Sequence, residues 1–178
     1  GFNYTDWVRG LDAGRSFVTT GPMLLATANG RPPGHRFRWE QPGTLRLQGS
    51  VLSEMPLRTI EIVVNGEVVK PLSPVHRRSK LGAHESPFDT TVKLAGTSWV
   101  TVRCWEDRPG GRFRFAHGAP FHVDIPGKPL RPRKAEVEYL IKRVTDQIER
   151  SKKVLPPVAI AEYEKALSIY REKAKQAR

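Results

Sequence analysis

The sequence holds one cysteine, Cys104, so no disulfide can close within the chain. That count leaves the redox compartment open. No apolar run approaches the about 20 residues that a bilayer-spanning helix needs, so no membrane partner is expected. The chain has no His-x-His pair, and its five histidines, His35, His76, His84, His117 and His122, fall at no spacing used by zinc sites. Neither a metal nor a cofactor is therefore expected. No serine sits in a nucleophile elbow. Gly110-Gly111 lacks both the phosphate-loop spacing and a following helix. Cys104 falls inside an apolar strand pattern and reads as a small hydrophobe. Asp124 and Glu61 read as isolated strand carboxylates with no close pair for acid–base work, so no catalytic residue is assigned and the chain is not expected to be an enzyme.

Acidic residues are also scarce: 18 Asp and Glu stand against 30 Lys and Arg, a formal charge of +12. From Lys128 onward the count is 14 basic against 7 acidic, the more basic part per residue. Such a balance favours anionic partners and says nothing about fold.

What is abundant is punctuation. Fifteen prolines and fifteen glycines separate short apolar runs, which favours strands and turns. Thr5 to Ala13 reads as a short helix capped by Thr5 or Asp6, with Trp7, Val8 and Leu11 on one face. Gly14 closes it. Strands follow at Ser16–Thr20 and Met23–Ala28, broken by Gly21-Pro22, because proline has no N–H for a ladder. Arg36–Trp39 and Thr44–Leu52 come next. Residues 59–64 and 67–70 flank Asn65-Gly66, the pair that a type I′ hairpin turn needs. Leu72 to Ser86 reads as a loop. Further strands are expected at Phe88–Leu94, Ser98–Trp105, Arg112–Phe115 and Phe121–Asp124. Eight or nine short strands at this turn spacing predict an all-β sandwich or barrel. Beyond the basic linker Gly127–Pro132 the apolar period becomes helical. Val137, Leu140, Ile141, Val144 and Ile148 form one stripe; Ile160, Tyr163, Leu167, Tyr170 and Ala174 form the next.

Two strands alternate arginine with an aromatic ring. Arg36, Arg38, Arg112 and Arg114 are expected on one face, with Phe37, Trp39, Phe113 and Phe115 buried behind them. If the strands are neighbours, the arginines form a surface for an anionic polymer such as an acidic glycan, because the guanidinium fork suits carboxylate and sulfate. If they are apart, the arginines are merely solvated. Single-stranded nucleic acid wants exposed rings as stacking platforms, so no specific nucleic-acid partner is expected.

The run W-x-x-G-L-x-A-G-R-S-F-V-T-x-G-P, from Trp7 to Pro22, resembles the region that follows the catalytic domain in CehA/McbA-type metallohydrolases of the PHP superfamily. The hairpin around Asn65-Gly66, the Ser98–Cys104 strand, Ala116-His117 and the Tyr163–Tyr170 helix resemble it too. This chain has Thr20 where that family has asparagine, and Gly118-Ala119 in place of two hydroxyl residues. The resemblance implies a β-sandwich, Ig-like or related, over residues 1–127, with a helical hairpin over 128–178 packed on it. It implies a non-catalytic accessory domain whose partner is an N-terminal catalytic barrel of the same polypeptide, absent from this chain. The chain enters the motif directly after Gly1, as expected of a piece of a longer protein. Trp7, Arg15, Thr19, Thr20, Gly21 and His117 are the candidates for contact with that barrel. The alternative is a free-standing binding module for acidic glycans.

Short amphipathic helices draw most of their stability from tertiary packing. Truncation after Gly127 is therefore expected to lower the melting temperature or the solubility of the β part; an unchanged melting curve would make the hairpin an independent appendage.

Overall fold

The computed structural model describes residues 1–80 and 82–177; Leu81, inside the segment read as a loop, lies outside them. The chain separates into two compact units, Gly1–Pro129 and Leu130–Arg178.

The first unit opens with α1 (Tyr4–Asp12). Its cap is Asn3, not Thr5 or Asp6: the Asn3 side-chain oxygen accepts the Asp6 N–H at 3.1 Å. Helix geometry explains the shift, since a cap must precede the N–H it satisfies by two or three residues. The strands then run β1 (Phe17–Thr19), β2 (Met23–Ala28), β3 (Arg36–Arg38), β4 (Gly43–Ser53), β5 (Leu57–Val64), β6 (Glu67–Leu72), β7 (Arg77–Arg78), β8 (His84–Leu94), β9 (Ser98–Arg108), β10 (Arg112–Gly118) and β11 (Phe121–Asp124). The segment 72–86 is therefore not all loop. It holds β7 and the start of β8, where Arg77 pairs with Glu85 and Arg78 with His84. Polar side chains hid these residues, because edge strands are decided by a neighbour's free backbone groups and not by a buried face.

The strands form two sheets. One has the order β2-β4-β8-β7. The other is built around β9, whose inner residues pair with β5 on one side and with β10 and β11 in succession on the other. β6 extends β5; β1 joins β10 antiparallel, and β3 joins β11 in parallel. Both sheets contribute to one apolar cluster that includes Leu45, Leu47, Val51, Ile60, Ile62, Val102 and Phe121. The period-two pattern is clean in β8, where Ser86, Phe88, Thr90, Val92 and Leu94 are buried and Asp89, Thr91 and Lys93 are exposed. The hairpin turn forms as expected, with φ of 52° at Asn65 and 89° at Gly66. Its Asn65 side chain also accepts the Trp99 N–H at 2.9 Å, which ties the turn to β9.

Helix α1 is held to the sheets by a close backbone approach. A side chain at Gly34, which has φ of 82°, would place its Cβ 1.8 Å from the Ala13 carbonyl oxygen. The second unit is a hairpin of α2 (Lys134–Ser151) and α3 (Pro157–Ala174). Val137, Ile148 and Leu167, all from the expected stripes, are buried.

Candidate functional site

The switch from β1 to β2 is fixed by hydroxyls. Thr19 Oγ1 donates to the Pro22 carbonyl at 2.6 Å and accepts the Gly21 N–H at 2.9 Å. Thr20 donates its N–H to the Phe115 carbonyl and accepts the Phe115 N–H on its Oγ1, both at 2.9 Å. His117 lies opposite Val18 in the adjoining strand, and its Nδ1 stands 3.0 Å from the Gly118 carbonyl. The structure thus brings Thr19, Thr20, Gly21 and His117 to one β1–β10 margin. Arg15 leads into it, exposed, with its N–H bonded to the Gly10 carbonyl. Trp7 stands apart on α1, 51% exposed and ringed by Phe2 and Tyr4.

The four strand arginines do not converge. Among the described residues β3 pairs only with β11, whereas β10 pairs with β1 and β9. Val123 sits opposite Ser98 of β9 and Arg112 opposite Arg108, ten residues away, a separation of about 33 Å along the strand. Arg36 pairs with Asp124 at 2.8 Å and Arg114 with Glu54 at 2.9 Å. Arg38 lies opposite Asp124 in the parallel pair.

The expected burial of the rings holds in β3 and reverses in β10. Phe37 and Trp39 pack against the core cluster. In β10 the inward positions are Ala116 and Gly118, so Phe113 and Phe115 turn outward, and Phe113 is 58% exposed. There they meet Trp105, at ring distances of 5.3 and 5.8 Å. Alternation alone fixes which residues share a face; the register with β9 decides which face is inside.

Neither strand carboxylate is isolated. Asp124 holds Arg36. Glu61 Oε2 accepts Arg103 Nε at 2.5 Å and Trp105 Nε1 at 3.1 Å, with the Arg103 guanidinium carbon 5.4 Å from the Trp105 ring centroid. These are cross-strand contacts, since Glu61 pairs with Arg103, and they cannot be read from sequence separation. Partial burial pushes the Glu61 carboxyl up. The hydrogen bonds from Arg103 and Trp105 and the nearby cationic charge outweigh it and hold the group below the usual carboxylate range.

Sequence reasoning missed a second acid. Glu106 is fully buried, accepting the Met55 N–H and Arg108 Nη1, each at 3.3 Å. Arg108 also reaches Glu54, at 3.1 Å, and so couples it to the Arg114 pair. The signal was present: Glu106 continues the inward period of Val100, Val102 and Cys104. Burial pushes the Cys104 thiol up to about 11, which leaves it a poor nucleophile. Among the described residues no group of three or more His, Cys, Asp or Glu is placed to hold a metal.

A cleft of about 710 Å³ lies between the two sheets. Half-buried Phe17 and Ala26 line it, the buried Leu24, Val102 and Phe121 lie behind its floor, and Arg15 is among its polar residues.

Glu61 yields a test. Its substitution by alanine strands the Arg103 and Trp105 donors and is expected to cost about 1–3 kcal/mol at neutral pH. A carboxyl held below its unfolded value stabilises the fold above that value and loses the contribution as pH falls through it. The gap between wild type and Glu61→Ala in chemical denaturation is therefore expected to shrink below about pH 4; a gap independent of pH would show that the ionised carboxylate plays no part.

Set against family models, curated proteins and solved structures, the chain matches none of them.

Proposed function

We propose that this chain is a non-catalytic accessory domain of Ig-like sandwich form, which packs against a metal-dependent catalytic barrel of the PHP type on the same polypeptide. One observation carries the reading. Helix α1 has no buried residue, yet Tyr4, Trp7 and Leu11 share a face and are 69%, 51% and 45% exposed. Exposed apolar faces of this kind mark interaction surfaces. The face belongs to the same Trp7–Pro22 run that carries the family resemblance, and Gly34 fixes its position on the β unit. The four-strand order β2-β4-β8-β7, opposite a sheet centred on β5, β9 and β10, supports the Ig-like assignment, in which strands A, B, E, D face C, F, G. On this reading the domain supplies no catalytic group and no metal ligand. Its work is to support the barrel.

Reading the transcript upstream of the Phe2 codon tests this directly: an in-frame barrel with a His-x-His is expected, and an open reading frame encoding no such barrel sinks the proposal. In the full polypeptide, Trp7→Ser/Leu11→Ser is expected to weaken docking by about 2 kcal/mol, since each half-covered side chain still has about half of a 1.5–3 kcal/mol burial to gain. Barrel stability unmoved by the double substitution would place the contact elsewhere.

A second reading has its own observation. The outward Trp105, Phe113 and Phe115 form a partly exposed aromatic cluster with Phe113 at its rim, which favours a free-standing module for an anionic polymer such as an acidic glycan. The separation of the strand arginines argues against it. Retention on immobilised heparin discriminates the two: Lys152→Ala/Lys153→Ala is expected to reduce it more than Arg36→Ala/Arg112→Ala. The reverse order would move the binding module ahead.

A further inference from the structure

Small residues contribute to the lining of the cleft between the sheets. Ala26 and Gly49 pair with each other across β2 and β4, on the face that carries Leu24, Leu47 and Val51 inward. Gly118 lines the same cleft. A Cβ added there would lie 3.7 Å from Leu24 Cδ2, so the position points across to the other sheet and carries nothing. Gly49 does not tolerate a side chain: a Cβ would fall 2.0 Å from the Leu25 carbonyl oxygen and 2.7 Å from Phe88 Cζ. Protein interiors are packed as densely as organic crystals, with few voids larger than a water molecule. A space of about 710 Å³ lies instead within the range of small-molecule sites, which are apolar clefts with a few polar groups to fix orientation.

Most polar groups around this cleft are already committed. Gln48 Nε2 donates to Asp89 at 3.0 Å, Ser50 Oγ to Glu85 at 3.2 Å, and Thr27 Oγ1 to the Gln48 carbonyl at 3.3 Å. Arg15 differs. It is the one charged residue among those lining the cleft, and among the described residues no side chain pairs with its guanidinium. It is also held in place, because its backbone N–H bonds the Gly10 carbonyl at 2.8 Å just past the end of α1.

We infer that the cleft binds an amphipathic monocarboxylate, its alkyl or aryl body along the half-buried Phe17 and Ala26 and its carboxylate on Arg15. Apolar walls reward burial of the body in proportion to its area. A guanidinium fork takes a carboxylate through two parallel hydrogen bonds, and it does so more strongly where one side of the pair is shielded from water. An amine with the same chain would meet Arg15 with like charge, and an alcohol would forgo the charge-assisted bonds. The inference goes beyond the accessory-domain reading and does not rest on it, since the cleft and Arg15 both belong to the Gly1–Pro129 unit.

The test is titration calorimetry of the whole chain with decanoate, decanol and decylamine below their aggregation concentrations. One equivalent of decanoate is expected to bind, at least tenfold more tightly than either control. Arg15→Ala changes an exposed side chain and is expected to erase that preference while leaving decanol unchanged. Ala26→Leu narrows the cleft and is expected to weaken decanoate and decanol alike, by tenfold or more, in protein whose melting curve shows it folded. The inference is overturned by any of three results: no saturable binding of decanoate, a preference that survives Arg15→Ala, or binding untouched by Ala26→Leu. The last would place the alkyl chain on the exposed α1 face around Trp7, an outcome that Trp7→Ser would identify.

Discussion

The β unit depends on one strand flanked on both sides. β9 is paired over residues 100–106 by β5 on one side, and on the other over residues 103–108 by β10 and over residues 98–100 by β11. Its inward residues Val100, Val102 and Cys104 are buried to 1% exposure or less, and they anchor the cluster that both sheets share. Because β10 and β11 together cover one side of β9, the chain must break at Gly118-Ala119-Pro120. That break sets where β1 and β3 attach.

The same strand organises the polar groups. On its outer face Arg103 and Trp105 both reach Glu61 across the β5 ladder. On its inner face Glu106 is buried at the end of the apolar row, satisfied by Arg108 and a backbone N–H. An unpaired carboxylate there would be costly, so Arg108 is required by Glu106 rather than by any ligand. The Glu54–Arg108–Arg114 bridges extend that network to the surface, where charge pairs add little stability. Much of the arginine in the β unit is thus spent on neighbouring acids, and the four arginines singled out by alternation are not a shared surface. Arg15 remains the cation whose placement beside a cleft invites an anion.

Among the described residues, the apolar face of α1 and the aromatic cluster of Trp105, Phe113 and Phe115 stand out as surfaces without a full partner inside the β unit. The first is the more demanding. A helix with only Val8 of its apolar face partly covered gains little tertiary support from that side, and helices of this length are marginal without it. The aromatic cluster is cross-braced by ring contacts and by the stacked Arg103, and a sheet keeps its own hydrogen bonds whether or not that face is covered.

Much of this fold was legible in the residues. Alternation marked most strands, Asn65-Gly66 marked its turn through positive φ, and helical periodicity marked the hairpin, because each of these signals is local. The family resemblance likewise rested on local runs. Three things were not legible. The two-residue strand β7 and the start of β8 carry no apolar alternation, since their place is set by a neighbour's unpaired backbone. The outward turn of Phe113 and Phe115 follows from the register of β10 on β9, which a period of two leaves undetermined. Glu61 looked isolated because its partners lie more than forty residues away, across a strand pair. The sequence by itself determined which residues share a face and where the chain must turn. Tertiary structure alone decided which face is inside, which charges meet, and that Ala26, Gly49 and Gly118 line one cleft. These are facts about strand neighbours, and no local pattern carries the identity of a neighbour distant in the chain.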